Sequence, residues 1–199
     1  MGSGAIPVIL TFALMLVAWQ VVFSSNRDLA RARAWGELTR RLLPFAAIII
    51  MAASLPLVQG LQEDWVPFVW ALVFGVVLVV ANFLSMPLNE RRASRAFRSR
   101  DYAGAVALYR KLVEERPLAR YWAFLGAALG ADEHHEEGVD ASTMAVEIDP
   151  EYGLAYYNRA LILQRLGRKS RATKDLKKAL ETDLPRRFRT AARGILEES

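Results

Sequence analysis

A spacing of 34 residues separates two helix-like stretches of this chain, and it restricts the possible folds more than any other feature. The stretch "WAFLGAALG" begins at Trp122, and "AYYNRALILQRLG" contains Tyr156, which lies 34 residues later. In the second stretch Tyr156, Ala160 and Leu163 fall on one face at helical spacing. A fixed period of this length indicates stacked copies of one helical unit rather than a single closed core.

Further positions align when one stretch is shifted onto the other. The first copy contributes Trp122, Leu125, Gly126, Leu129, Gly138, Ala145 and Pro150, and the second contributes Tyr156, Arg159, Ala160, Leu163, Ala172, Ala179 and Leu184, with Pro185 one place late. Upstream, "RDYAGAVALYRKLVEERP" resembles the second half of another copy. It has Ala105, Tyr109, Leu112 and Pro117 at the corresponding positions. One copy cannot bury its own apolar face, so at least three must stack.

These positions resemble the tetratricopeptide repeat, a helix–turn–helix unit whose pattern is W-x2-L-G-x2-Y, followed by Ala, a large apolar residue, Ala and Pro. The resemblance covers about residues 88–185. It implies an all-α repeat domain, with a cap that has Phe188, Ala191, Ala192 and Ile195 on one face. The repeats would lie at about 87–118, 119–152 and 153–185, and the capping helix at 186–199. Gly138 and Ser142 are weak choices inside a helix, so we expect looser packing between repeats there.

The part of the chain before the repeats contains long uncharged apolar runs. The whole chain has 199 residues and a formal charge of +5, but its charged residues concentrate after Leu88. Three apolar runs, at about 5–23, 42–61 and 65–85, each approach the ~20 residues that a helix needs to cross a bilayer. The sequence therefore predicts a membrane domain at 1–86 with three transmembrane helices, although a cleaved signal peptide is an alternative for the first run.

Arginines around these runs predict the orientation of the protein. They are concentrated at 26–41 and again at 89–100, whereas the loop between the second and third runs holds only Glu63 and Asp64. Positive residues remain on the cytoplasmic side, so we expect an integral protein of the bacterial cytoplasmic membrane with its N-terminus outside and its repeats in the cytoplasm. Trp70 fits an interfacial belt, although it lies deep in its run. No run contains an ionisable side chain, which argues against a transporter.

The resemblance also implies a concave groove lined by the first helix of each repeat. Its inner face would include Arg120, Ala123, Ala127, Gly130, Ala131, Leu154, Tyr157, Leu161, Gln164 and Arg165. Of these, we expect Arg120, Ala127, Tyr157, Leu161, Gln164 and Arg165 to bind a partner, namely an extended peptide or amphipathic helix with an acidic or carboxylate end. Asn158 fits one position of the carboxylate clamp found in part of the family, but Ala123 and Ala127 occupy two others. We therefore expect Asn158 to bond locally.

Other chemistry finds little support in the sequence. "DEHHEE" (132–137) holds both histidines, but adjacent histidines on an exposed turn point apart, so no metal site is predicted. The chain lacks cysteine, a phosphate-binding loop and a legible catalytic triad, so we predict neither a cofactor nor an enzyme. Eight acids lie between Asp132 and Glu151, and twelve Lys or Arg residues lie between Arg159 and Arg193. The basic surface has three interpretations: a solvated helical surface, a site for an acidic partner, or a site for anionic lipid. Nucleic acid ranks last.

Together these features predict a membrane-anchored scaffold or adaptor that binds proteins through the groove of its repeats. The alternative is an accessory subunit of a membrane enzyme, or of an export or assembly complex, whose spans contact the partner. The partner itself is a protein or peptide that the sequence does not identify.

Overall fold

The computed structural model describes residues 20, 23–24, 26–59, 63 and 65–198, and the side chains of its first long helix as far as Ser54. Regular structure within these residues is entirely α-helical, as the sequence predicts. The chain divides into two compact units, Met1–Pro87 and Leu88–Ser199.

The first unit contains three helices with defined bounds. They are α1 (Arg27–Arg31), α2 (Trp35–Gln59) and α3 (Val66–Leu84). Among the described residues, α3 is the one helix long and apolar enough to cross a membrane. The predicted run at 42–61 lies mostly within α2, and the run at 5–23 falls almost entirely outside the described residues. The structure thus supports one candidate span, not the predicted three.

The basic segment at 26–41, which the sequence suggested was a loop, is largely helical. It contains α1 and the first turns of α2, which begins seven residues before the predicted run. Between the two helices the backbone turns at Arg33, whose φ angle is 53°. Several of the arginines expected in a loop therefore lie on helices.

A side-chain hydrogen bond connects α2 and α3. The indole Nε1 of Trp70 donates to Ser54 Oγ at 2.9 Å, and the Ser54 hydroxyl donates to the Met51 carbonyl at 2.7 Å. The Trp70 ring also stacks on Phe74, with 5.5 Å between the ring centroids. These contacts explain why Trp70 lies deep in its run, since its polar atom is satisfied by the neighbouring helix rather than by an interfacial position.

The second unit is a series of helical hairpins followed by one further helix. Its elements are α4 (Leu88–Arg98), α5 (Tyr102–Glu115), α6 (Ala119–Ala131), α7 (His135–Ile148), α8 (Gly153–Arg165), α9 (Lys169–Glu181) and α10 (Arg186–Glu197). The turns within the three hairpins hold Arg100, Glu133 and Gly167, with φ angles of 64°, 66° and 72°. A residue in this left-handed conformation is a common way to end a helix, so the three hairpins turn by the same device.

Small residues allow the helices of each hairpin to approach closely. Ala93, Gly126 and Ala160 occupy equivalent places on α4, α6 and α8, and all three are buried. Apolar residues fill the space around them; Tyr109, Leu129 and Leu176 are each less than 5% exposed. The packing follows the small and large positions that the repeat pattern predicts.

Close approaches at Gly138 on α7 contradict the expected loose packing between repeats. A Cβ atom on Gly138 would lie 3.0 Å from Ile162 Cδ1 on α8, in the next repeat. A Cβ atom on Gly138 would lie 3.0 Å from the Gly126 carbonyl oxygen, and one on Gly126 would lie 2.9 Å from the Gly138 carbonyl oxygen. The prediction is wrong because it weighed only the helix propensity of glycine. Two facing glycines instead bring the backbones of α6 and α7 together.

The C-terminal helix α10 packs on the last hairpin largely as expected. Ala192 is completely buried, and Phe188 and Ile195 pack on the same cluster together with Leu196. Ala191 is exposed, contrary to prediction, because it lies on the side of α10 that faces away from the last hairpin. Arg189 makes three hydrogen bonds that the sequence did not suggest, donating to the carbonyls of Leu180, Thr182 and Leu184 at 2.8–2.9 Å. It thereby satisfies acceptors at the end of α9.

Candidate partner-binding groove

Two hydrogen bonds hold α6 and α8, the first helices of neighbouring repeats, side by side. Asn158 Nδ2 donates to the Ala123 carbonyl at 3.0 Å, and Arg165 Nη1 donates to the Gly130 carbonyl at 2.5 Å. Both bonds join residues 35 positions apart. The two helices therefore run parallel and in register, and the strip between them contains several of the residues that the sequence assigns to a groove.

Asn158 acts within this strip as a structural residue. The residue is 9% exposed. Its amide donates to the neighbouring repeat, whereas the sequence predicts a local bond. A buried amide without its partner would cost free energy, so this bond favours one register between the repeats.

Arg165 lies at the exposed end of the strip. The carbonyl of Gly130 belongs to the last turn of α6, where helix carbonyls lack intrahelical partners. A guanidinium at this position satisfies one such carbonyl and interacts favourably with the negative end of the helix dipole. Arg165 thus caps α6, and the rest of its charged group faces solvent.

Tyr157 and Leu154 do not line an open groove. They are 8% and 6% exposed and belong to the apolar cluster that α10 covers. The ring centroid of Tyr157 lies 5.3 Å from that of Phe188 on α10, and burial raises the pKa of the Tyr157 hydroxyl. The repeat pattern did not predict the depth to which α10 buries these residues.

Three predicted residues on α6 are also buried. Arg120 is 5% exposed and Ala123 has no exposed surface. Gly130 faces Ile162 on α8 so closely that a Cβ atom would lie 2.6 Å from Ile162 Cγ1. These residues hold neighbouring repeats together and offer a ligand little surface.

The remaining predicted residues form the accessible strip. Ala127, Ala131, Leu161 and Gln164 are half-buried, and Arg165 is exposed. On α6 the strip carries only methyl groups, which leave room for the backbone of a ligand to approach. On α8 it offers an aliphatic side chain, an amide and a cation. This combination suits a short extended segment with one apolar contact and a polar or anionic end.

An ion pair behind this strip was missed by the sequence analysis. Arg159 on α8 contacts Asp175 on α9, and it also donates to Thr143 Oγ1 on α7 at 3.0 Å. The hydrogen bond with Asp175 raises the pKa of the Arg159 guanidinium. One sign was present in the sequence, because Arg159 occupies the place that Leu125 holds in the preceding repeat.

Neither histidine belongs to a metal-binding cluster in the described part of the chain, where no three His, Asp or Glu residues converge. His134 precedes α7, with its Nδ1 2.9 Å from the Asp132 carbonyl oxygen and 3.3 Å from the Asp132 carboxylate. His135 begins α7 itself. His134 thus belongs to the hairpin turn and His135 to the first turn of α7.

Comparison with known proteins supports a repeat domain in the second unit. Residues 154–184, the last hairpin, match the family model of the tetratricopeptide repeat. The chain is 30% identical over 95 residues to small glutamine-rich tetratricopeptide repeat-containing protein 2 of Mycosarcoma maydis. That alignment covers 47% of this chain and 27% of the relative, so the match spans about a quarter of the relative's length.

Among solved structures, the TPR2B-domain:pHsp70 complex of yeast Sti1 is similar, with a TM-score of 0.49 and 24% identity over 54% of this chain and 86% of that chain. The class of the described chain is all-α, and its second unit consists of helical hairpins in series. The sequence matches support the tetratricopeptide repeat family for this unit, in agreement with the resemblance noted above.

Proposed function

We propose that this protein is a membrane-anchored scaffold that binds a segment of a partner protein, without catalysis, along the strip between α6 and α8. The observation that carries the proposal is the pairing of these helices in register, which places Ala127 and Ala131 beside Leu161 and Gln164. Peptide-binding sites of this kind combine apolar contact with a few polar groups that fix the orientation of the ligand.

Support for the anchor comes from the surface of α3. Phe68, Leu72 and Val79 are 77%, 69% and 70% exposed, and Ile50 on α2 is 67% exposed. A contiguous apolar surface of this kind is a liability in water, and it is the usual surface of a helix in lipid. We include in the proposal the three predicted spans, with the N-terminus outside and the repeats in the cytoplasm of a bacterium.

Reporter fusions test the orientation. Reporters placed after Arg41, Glu63 and Ser199 should read inside, outside and inside, because the arginine-rich segments remain cytoplasmic. An outside reading after Ser199 would refute the cytoplasmic placement of the repeats.

Site-specific photocrosslinking in membranes tests the strip. A photoreactive amino acid at Gln164 should form a discrete adduct, whereas the same amino acid at Ser170, an exposed position on α9, should not. Leu161→Glu should abolish the adduct while circular dichroism remains helical, because a charge would replace the apolar contact. A matched control is His134→Ala with His135→Ala, which should leave the adduct intact. Loss of the adduct in the histidine variant alone would refute the proposed site.

The exposed apolar side chains on both α2 and α3 also favour a second candidate, an accessory subunit whose spans contact a membrane partner. Purification of residues 1–87 and of the full chain in mild detergent separates the two candidates. A partner retained by the spans alone would favour the accessory subunit, and one retained only with the repeats would favour the scaffold.

A further inference from the structure

A second groove lies outside the strip, at the junction of α5, α6 and α7. Its volume is about 440 Å³, within the range of roughly 300–1,000 Å³ that is typical of ligand pockets. The floor is apolar and consists of Val113, Leu125, Leu129 and Ala141, all at most 7% exposed, with Trp122 and Met144 beside them. None of these residues belongs to the strip between α6 and α8.

Acidic residues dominate the rim of this groove. Three exposed carboxylates, those of Glu114, Glu137 and Asp140, surround it together with the single cation Arg110. Arg110 is already paired with Glu137, with 2.6 Å between Nη2 and Oε2. The side chains of Glu114 and Asp140 make no ion pair or hydrogen bond with other described residues, so two negative charges face solvent on either side of an apolar floor.

The apolar surface continues beyond the groove along α7. Met144 and Ile148 lie one helical turn apart, and each is 40% exposed. Acidic residues predominate here, because α7 and its flanking turns carry eight acids and no Lys or Arg between Asp132 and Glu151, and of these acids Glu136 and Glu137 are paired with Arg168 and Arg110. The groove therefore presents an elongated apolar track within an acidic field.

We propose that this groove binds a cationic amphipathic segment of a second partner protein. One aliphatic side chain of that segment enters between Val113, Leu125 and Met144, and Lys or Arg side chains beside it reach Glu114 and Asp140. Complementary charge steers such a segment to the groove and rejects acidic ones, while apolar burial provides the contact energy. The scaffold would then hold two partners at once, one on each face of the repeats.

The experiment uses the full chain in nanodiscs of zwitterionic lipid and three fluorescent peptides. The probe is an amphipathic peptide with Leu and Lys spaced so that they lie on opposite faces of a helix. One control peptide replaces each Lys with Glu, and the other replaces each Leu with Ser. Emission from Trp122 provides a second readout, which Trp122→Phe removes. After subtraction of empty nanodiscs, only the Leu/Lys probe should raise the anisotropy and shift the tryptophan emission.

Matched variants distinguish a built site from general attraction. Glu114→Lys with Asp140→Lys should weaken binding of the Leu/Lys probe about tenfold or more, because the two charges are reversed where the ligand lies. Glu197→Lys with Glu198→Lys makes the same change in net charge at two exposed positions at the end of α10, and should weaken probe binding less than about threefold. If the reversed pair unfolds the hairpin, Glu114→Gln with Asp140→Asn carries the same test at constant shape.

Three results would overturn the proposal. Equal weakening by both lysine pairs would show diffuse electrostatics, and equal binding of the Ser-containing peptide would show that the apolar floor is not used. Dissociation of a dimer by the groove variants in sedimentation would show that the occupant is a second copy of this chain. Leu161→Glu should leave probe binding unchanged, so failure here is separate from failure of the strip between α6 and α8.

Discussion

Arg159 and Asp175 join the two helices of the last hairpin by a bidentate ion pair. Arg159 Nε lies 2.7 Å from Asp175 Oδ2, and Nη2 lies 2.8 Å from Oδ1. Their side chains are 17% and 9% exposed, and the guanidinium also lies over the ring of Tyr156 at 5.6 Å from its centroid. Because Arg159 contacts Thr143 as well, the pair fixes α8 against both α7 and α9.

Removing either partner of this pair should destabilise the repeats. Arg159→Leu and Asp175→Leu should each lower the free energy of unfolding by about 3 kcal/mol, because each leaves one charge poorly solvated without its counterion. The double variant should lose far less than the sum, since no unpaired charge remains. Urea unfolding of the full chain in detergent, followed by circular dichroism, measures this cycle. Single losses below about 0.5 kcal/mol would place the pair among ordinary surface contacts.

Asn158 should determine the register of α6 and α8 through a neutral donor. Asn158→Ala should cost about 1–2 kcal/mol, because it removes this buried hydrogen bond between the two helices. Asn158→Asp should cost more, because a carboxylate would then face the Ala123 carbonyl oxygen. Gln164→Ala, a half-buried amide on the same helix, is the control and should change stability by less than about 0.5 kcal/mol. Equal effects at Asn158 and Gln164 would contradict the assigned role.

The contact between Gly126 and Gly138 predicts opposite outcomes for two glycine substitutions. Gly126→Ala should lower the free energy of unfolding by about 1–3 kcal/mol, because the new methyl group would meet Ser142 Oγ and the backbone of Gly138. Gly194→Ala on α10 adds a methyl group with no atom within 4 Å and should stabilise by about 0.5–1 kcal/mol. Thermal unfolding monitored by circular dichroism compares the two variants, and a stabilising Gly126→Ala would refute the close approach.

Buried tyrosines should make the repeats sensitive to alkali. Burial raises the pKa of Tyr109, Tyr156 and Tyr157 above the unfolded value of 10.0, and at Tyr109 the charge of Glu90 adds to the effect. Their neutral forms therefore contribute stability that is present below pH 10.0 and is lost as pH rises towards the folded values.

Tyrosinate absorbance and circular dichroism, recorded together above pH 10.0, test this dependence. Ionisation of the buried tyrosines should coincide with loss of helix, and Tyr109→Phe should move that transition to higher pH. Tyr102→Phe, a half-exposed control on the same helix, should leave it in place. Buried tyrosines that ionise while the helices persist would contradict the linkage.

The helices of the second unit were predictable because the repeat pattern relates their packing to residues that are close together in the sequence. Trp122, Ala160 and Ala179 take places that any copy of the repeat would fill with the same kind of side chain. The accessible strip was only partly predictable, because exposure depends on elements outside the repeat. The burial of Tyr157 follows from the position of Phe188 on α10, which the pattern does not describe.

Contacts between repeats were harder to predict than those within them. The bond from Asn158 to Ala123 depends on the lateral distance between α6 and α8, and periodicity alone does not give that distance. The apolar run at 42–61 illustrates another limit, because hydropathy does not detect that the helix already begins at Trp35. Propensity likewise misled at Gly138, where the space available to the backbone matters more than the intrinsic cost of glycine.

The equal separation of the two bonds between α6 and α8 has a consequence for insertions and deletions. A residue added in the turn before α8 leaves both helices intact, so the bonds from Asn158 to Ala123 and from Arg165 to Gly130 can both form. A residue added within α6 between Ala123 and Gly130 rotates one contact by about 100° relative to the other, so both bonds cannot survive. Lineages of this protein should therefore vary in length at the turns and keep the span from Ala123 to Gly130 constant.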